Sequence, residues 1–114
     1  MAGCIFCNIV AGKIPSESVA QGRDWLAFHD LQPQAPTHIL LIPKRHIASL
    51  SELEKSDTEL VGRLVWSATE IARDQGLAES GYRLVWNIGP HGGQAVYHIH
   101  LHLLGGRALS WPPG

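Results

Sequence analysis

Apolar and polar positions change period along the chain, and each period predicts an element. Between Cys4 and Gly12, Ile5, Phe6, Ile9 and Val10 fall on one helical face, which predicts a short helix that Gly12 can end. Ser18–Gly22 and Trp25–His29 read as a hairpin bent at Gly22-Arg23-Asp24. Asp30 to Pro36 holds two prolines and predicts a loop. Thr37–Pro43 is almost continuously apolar, as in a strand covered on both faces. Ile47 to Leu53 predicts a short helical segment. Ser56-Asp57-Thr58-Glu59 has the form of a capping box. Behind it Leu60, Val61, Leu64, Val65, Ala68, Ile71 and Ala72 form a stripe at helical spacing, and Gly76 suits the C-terminal cap. Trp66 lies off the centre of that stripe, where a subunit contact could use it. Tyr82–Asn87 predicts a strand and Ile88–Gln94 a glycine-rich loop.

The last block, Tyr97 to Leu104, has period two. As an extended strand it places His98, His100 and His102 on one face and Ile99, Leu101 and Leu103 on the other. The order is helix, hairpin, strand, helix, two strands. With connections too short for most parallel crossovers, this predicts one α+β domain over residues 1–114 with an antiparallel sheet.

Composition narrows the function. The 114 residues are 45% apolar and 17% charged with a net charge of −1. This is globular and carries no basic patch for nucleic acid, the Lys44-Arg45 doublet being too short. No apolar run approaches the ~20 residues that span a bilayer. The start lacks the basic and long apolar segments of a signal peptide, so a cytoplasmic protein is expected. The two cysteines, Cys4 and Cys7, form a C-x-x-C. In a reducing compartment such a pair supplies two of the four ligands of a structural zinc, or packs as two small buried thiols.

The imidazole face is the anomaly, because buried histidines must be satisfied or used. Three histidines can ligate a catalytic zinc. Alternatively, one neutral imidazole attacks an electrophile while a neighbour moves protons. On phosphorus that route needs donors around the equatorial oxygens, which imidazoles, an amide such as Asn87 and the backbone of Gly92-Gly93 can provide. No acidic cluster stands ready for magnesium. Asp30, ending a strand, either caps its turn or binds ligand hydroxyls. His38 is either a satisfied core histidine or a support for the triad. Trp111 and the prolines of the tail suggest docking on another subunit.

His98-Ile99-His100-Leu101-His102-Leu103-Leu104 resembles the histidine-triad motif, in which histidines alternate with apolar residues. FHDLQPQAPTHILLIPKRHI (28–47), NIGPHGGQAVYHIHLHLLGGR (87–107) and the ending WPPG resemble the Hint branch of that superfamily. The resemblance implies a five-stranded antiparallel sheet with one long helix and a short N-terminal helix. It implies a homodimer that binds purine nucleoside monophosphates. The implied reaction is hydrolysis of adenosine phosphoramidates and aminoacyl-adenylate-like substrates, releasing AMP without a catalytic cofactor. In the implied roles, His100 is the nucleophile, His102 contacts the phosphate and helps the leaving group, and His98 and His38 support the relay. Asp30 would bind the ribose, with Leu31 against the nucleoside, and Phe6, Ile9 and Phe28 would line the base pocket. Asn87, Gly93, Gln94 and Ala95 would hold the phosphate and leaving group, and Trp111 would reach the partner's site. The family's Gly-Gln-Ser-Val is here Gly93-Gln94-Ala95-Val96, so a hydroxyl is missing. Members with C-x-x-C often bind structural zinc, which maps to Cys4, Cys7, His46 and His98. His98 would then serve structure instead of the relay. A non-catalytic nucleotide-binding protein, or a metallohydrolase with the triad as ligands, would be the competing readings.

Overall fold

The computed structural model describes residues 3–114. In chain order it has α1 (Ile5–Val10), β1 (Ser18–Gln21), β2 (Trp25–His29), β3 (Thr37–Pro43), α2 (Thr58–Asp74), β4 (Tyr82–Trp86) and β5 (Leu101–Gly105). The strands form one antiparallel sheet in the order β1-β2-β3-β5-β4. The helix α2 bridges β3 to β4, and β5 returns to fill the gap between them.

Period two along the central strands sorts side chains to two different covers. Ile39 and Leu41 of β3 and Leu101 and Leu103 of β5 pack with Leu64, Ala68, Ile71 and Ala72 of α2. Leu40 and Ile42 of β3 face the other way, with Leu26, Phe28 and Phe6 of α1. The continuous apolar run of β3 is thereby explained: both its faces are covered. His102 alternates with Leu101 and Leu103 and so falls on the α1 side.

The end of α2 follows its sequence signal. Gly76 has φ +76, and the N–H groups of Gly76 and Leu77 donate to the carbonyls of Arg73 (3.0 Å) and Ala72 (2.9 Å). These are the paired bonds of a glycine-capped helix end, with Leu77 buried against the core. Among the described residues no helix is long and apolar enough to cross a membrane.

Two expectations change. The entry to α2 does not use Ser56. A 3-10 turn, Lys55–Asp57, precedes the helix, and the Asp57 carboxylate accepts the Glu54 N–H at 2.9 Å. Asp57 is buried and also paired with Arg45, which fixes the cap at that carboxylate. The second change concerns the histidine block. Ladder pairing begins at Leu101 (opposite Leu41 and Trp86), while Val96–His98 form a bend. The Ile99 N–H donates instead to the Ile47 carbonyl at 2.8 Å, and His98 turns toward the N-terminal cysteines. Smaller differences are that Ile47–Leu53 holds only a 3-10 turn at Leu50–Glu52, and that Asn87 lies just beyond β4.

Candidate functional site

On the α1 side of the sheet lies a cleft of about 390 Å³. Among the expected residues, Phe6, Ile9, Phe28, Asp30, Leu31, Ala95, His100 and His102 line it. Ile14 and Leu40 add to its apolar wall and Ser16, His29 and Gln32 to its rim. These five were not anticipated, since only their place beside α1 and the Asp30 loop puts them there. Leu31 is 81% exposed at the mouth.

The imidazole tautomers follow from the backbone groups they meet, whose donor and acceptor roles are fixed. The Gln34 N–H donates to Nδ1 of His38 at 3.0 Å, so the proton of neutral His38 is on Nε2. That proton points at Nδ1 of His102, 2.9 Å away, which leaves His102 protonated at Nε2. The Asp30 carboxylate lies 3.4 Å from Nε2 of His38, while its other oxygen accepts the Gln32 N–H at 2.8 Å. Asp30 therefore caps its turn and faces the cleft at once. His100 runs the opposite way. Its Nδ1 is 2.8 Å from the His98 carbonyl and must donate, so Nε2 carries the free lone pair. The rings of His100 and His102 have centroids 4.9 Å apart. A lone pair and an N–H donor on adjacent imidazoles at an apolar cleft are the parts of nucleophilic catalysis.

Burial keeps this set neutral. It pulls His38, His98 and His100 below the ordinary imidazole value. His102 is pulled down to about 4, first by burial and then by the His100 and His38 rings beside it. An unfolded chain takes up the proton nearer 6.5, so the folded state is favoured while the ring stays neutral. That contribution is complete above pH ~6.5 and fades as pH falls toward 4. The urea midpoint should drop across this interval, and drop less in His102→Gln. A wild-type midpoint flat from pH 7 to 4.5 would contradict the assignment.

His98 belongs to a second cluster. It is completely buried and its Nε2–H donates to the Pro43 carbonyl at 2.8 Å. Its bare Nδ1 lies 3.3 Å from Sγ of Cys4 and 3.5 Å from Sγ of Cys7, and Nδ1 of His46 lies 3.3 Å from Sγ of Cys7. The four donor atoms lie within 4.8 Å of one another. A tetrahedral zinc with bonds of about 2.0 Å to nitrogen and 2.3 Å to sulfur holds its donors about 3.3–3.8 Å apart, so the set fits that ion. Phe6 separates cluster from cleft, its ring edge-on to His98 (5.8 Å) and His100 (5.1 Å). Among the described residues, His98, His100 and His102 do not converge as one ligand set, which removes the geometry of a triad-ligated metal.

The glycine-rich loop is bonded mainly to itself. The N–H groups of Gly93 and Gln94 donate to Pro90 and Gly89, and the Asn87 amide donates to the Gly92 carbonyl at 2.8 Å. The buried Gln94 amide ties the loop to Ala48 and Val96. Gly92 is required sterically, since a Cβ there would meet the Ile88 oxygen at 2.3 Å. Asn87, Gly93 and Gln94 thus shape the loop, and Ala95, the residue that follows it, lines the cleft. Trp111 is 81% exposed and does not line its own chain's cleft.

The fold and the site both have relatives. The family model described as "Scavenger mRNA decapping enzyme C-term binding" matches residues 3–110. The Arabidopsis thaliana protein named adenylylsulfatase HINT1 is 49% identical over 112 residues, covering 96% of this chain and 76% of that protein. A 14 kDa zinc-binding protein of Zea mays is 50% identical over 112 residues, covering 96% and 87%. The crystal structure of a HIT family hydrolase from Legionella pneumophila superposes with a TM-score of 0.96 at 52% identity, covering 98% of this chain and all of that one. With His102 on β5, and His100 and His98 in the stretch leading into it, the chain belongs to the histidine-triad (HIT) superfamily.

Proposed function

We propose that this chain is a Hint-type nucleoside phosphoramidate hydrolase. It cleaves the phosphorus–nitrogen bond of adenosine 5'-phosphoramidates, and the corresponding bond of aminoacyl-adenylate-like substrates, and releases AMP. The observation that carries the reading is the opposite protonation of the two cleft imidazoles: lone pair on Nε2 of His100, proton on Nε2 of His102.

The purine stacks among Phe6, Ile9 and Phe28, and Asp30 accepts the ribose hydroxyls. Nε2 of His100 attacks the α-phosphorus and an N–P bond forms as the P–N bond to the leaving amine breaks. The amine nitrogen takes the Nε2 proton of His102. That leaves the His102 ring one proton short beside the cationic adenylylated His100 ring, with the His38 Nε2–H donated to its Nδ1 until hydrolysis returns the proton. Water then attacks the adenylyl group, its proton returns through His102, and AMP leaves with His100 restored. Neither step needs a metal at phosphorus; the Cys4–Cys7–His46–His98 set holds a structural zinc, the ion named for the maize relative. The working unit is a homodimer in which Trp111 reaches the partner's leaving-group side. The Arabidopsis relative's name points to an adenylyl group carried on sulfate. The same nucleophile would serve that leaving group, so both substrate types should be assayed.

The test is mass spectrometry of protein quenched during turnover of an adenosine phosphoramidate. AMP is expected on the peptide carrying His100. Rapid turnover with no adenylylated protein in a single-turnover quench would overturn the covalent route, and no turnover would leave a nucleotide-binding protein.

Ala95 supplies a further expectation. Its exposed methyl lies at the cleft where the family pattern has a hydroxyl. Ala95→Ser adds one donor without displacing neighbours and should raise kcat/KM by about 3- to 10-fold, the worth of one ordinary hydrogen bond. Steady-state kinetics on both proteins would show it, and an unchanged value would mean that the backbone alone serves the leaving group.

A further inference from the structure

We infer that Arg107 is a positioning residue for the ribose: its guanidinium fixes the loop that carries Asp30 without itself lining the cleft. The inference rests on the reading of Asp30 as acceptor of the ribose hydroxyls. It adds to that subsite a residue from the far end of the chain.

The loop between β2 and β3 is held by a series of bonds, each resting on the next. The Gln32 N–H orients the Asp30 carboxylate by donating to one of its oxygens at 2.8 Å. The Gln32 carbonyl in turn accepts the side-chain amide of Gln34 at 3.1 Å. The loop therefore hangs on Gln34, which is tied to the fold at two points. Its N–H donates to Nδ1 of His38 at 3.0 Å. Its carbonyl accepts the Nη2–H of Arg107 at 2.9 Å, from 73 residues further along the chain. A residue held by one bond can pivot about it, whereas bonds on both sides of the Gln34 Cα fix its backbone. Pro33 and Pro36 flank Gln34 with fixed φ, so a shift there is carried along the loop rather than absorbed.

The chain leaving β5 passes directly against this loop: a Cβ on Gly106 would meet the Pro36 Cβ at 2.8 Å. The next side chain, Arg107, lies across Gln34. Its Nη1–H donates to the Ala108 carbonyl at 3.1 Å, so the guanidinium is oriented by its own backbone while Nη2 reaches the loop. A planar fork set in this way loses less freedom per bond than a flexible ammonium. Arg107 is exposed, and no step of the proposed chemistry uses it. The bond to His38 belongs to the other peptide of Gln34. Removing Arg107 therefore leaves His38 its partner and loosens the loop on the side of the ribose subsite.

The experiment compares wild type, Arg107→Met and Arg107→Lys on AMP and on 2',3'-dideoxy-AMP, which keeps base and phosphate but has no hydroxyl for Asp30. By calorimetry Arg107→Met should bind AMP about fivefold more weakly, the worth of one ordinary hydrogen bond, and dideoxy-AMP as wild type does. Arg107→Lys keeps the charge without the fork and should resemble Arg107→Met. With the matching phosphoramidates, KM for the ribose substrate should rise by the same factor while kcat holds, the pattern of lost uniform binding. In an Asp30→Asn background, Arg107→Met should add nothing, because the two act as one unit. Unchanged AMP affinity overturns the inference, and so does equal weakening of both ligands, which marks a general loss of structure. Full affinity in Arg107→Lys assigns the effect to charge and overturns the fork. If wild type binds AMP and dideoxy-AMP alike, the reading of Asp30 fails and the inference with it. The expected binding pattern in a chain that never hydrolyses a phosphoramidate keeps the role of Arg107 and overturns the hydrolase reading.

Discussion

Replacing His100 by Ala or Gly abolishes turnover of an adenosine phosphoramidate, lowering kcat by at least about 10⁴-fold, while AMP still binds. The size follows from what is removed. Nε2 of His100 carries a lone pair set free by a backbone acceptor on the opposite side of its ring. His102 cannot replace it, because His38 occupies its Nδ1 and leaves a proton on Nε2. AMP binding persists because the apolar wall of Phe6, Ile9 and Phe28 and the Asp30 carboxylate stay in place. His100 is nearly buried, so the Gly variant leaves a small void that water or the phosphate itself can enter. Calorimetry with AMP and steady-state assay on the same preparation separate the two effects. Turnover within tenfold of wild type in either variant would end the nucleophile assignment.

Much of this arrangement is legible in the sequence because period and chemistry agree. The α2 stripe, the hairpin at Gly22 and the double-covered run Thr37–Pro43 are local signals that tertiary structure did not need to override. The alternation of Leu101, His102 and Leu103 likewise survives in β5. What the pattern could not show is that His98 leaves the strand. Its side chain answers to Cys4, Cys7 and Pro43, partners 94, 91 and 55 residues away, and no local period encodes such pulls. The protonation of His100 and His102 was hidden for the same reason. It is dictated by the His98 carbonyl and by the Gln34 N–H acting through His38. Ser56 misled because a capping-box spacing takes no account of Arg45, which pairs with Asp57 from 12 residues upstream. The sequence leaves Asn87 open between ligand and turn, because only the folded loop brings the Gly92 carbonyl onto its amide.

Removal of metal should lower the melting temperature by about 15 °C. The four donors of Cys4, Cys7, His46 and His98 come from α1, from the segment after β3 and from the segment before β5, so one ion would tie three distant parts of the chain together. An ion that binds only the folded state stabilises by mass action, about 4 kcal/mol when free zinc is a thousandfold above its dissociation constant. At about 4 °C per kcal/mol for a chain of this length, that gives the stated shift. The emptied cluster is also poorer in itself. The Cys7 thiol is pushed up by burial and by the neighbouring Cys4 sulfur, so without a cation it stays protonated beside a buried imidazole nitrogen. Zinc displaces those thiol protons, which makes the stabilisation pH-dependent: it is largest at neutral pH and above and is lost on acidification, as thiolates and imidazoles reclaim protons. Thermal unfolding with and without chelator, on protein whose zinc content has been measured, should show the shift. Cys7→Ser should melt near the chelated wild type and no longer respond to chelator. If chelator leaves the wild-type melting temperature within 2 or 3 °C of the zinc-loaded value, on the ~4 °C per kcal/mol scale the cluster contributes under 1 kcal/mol and is two thiols beside two histidines, not a metal centre.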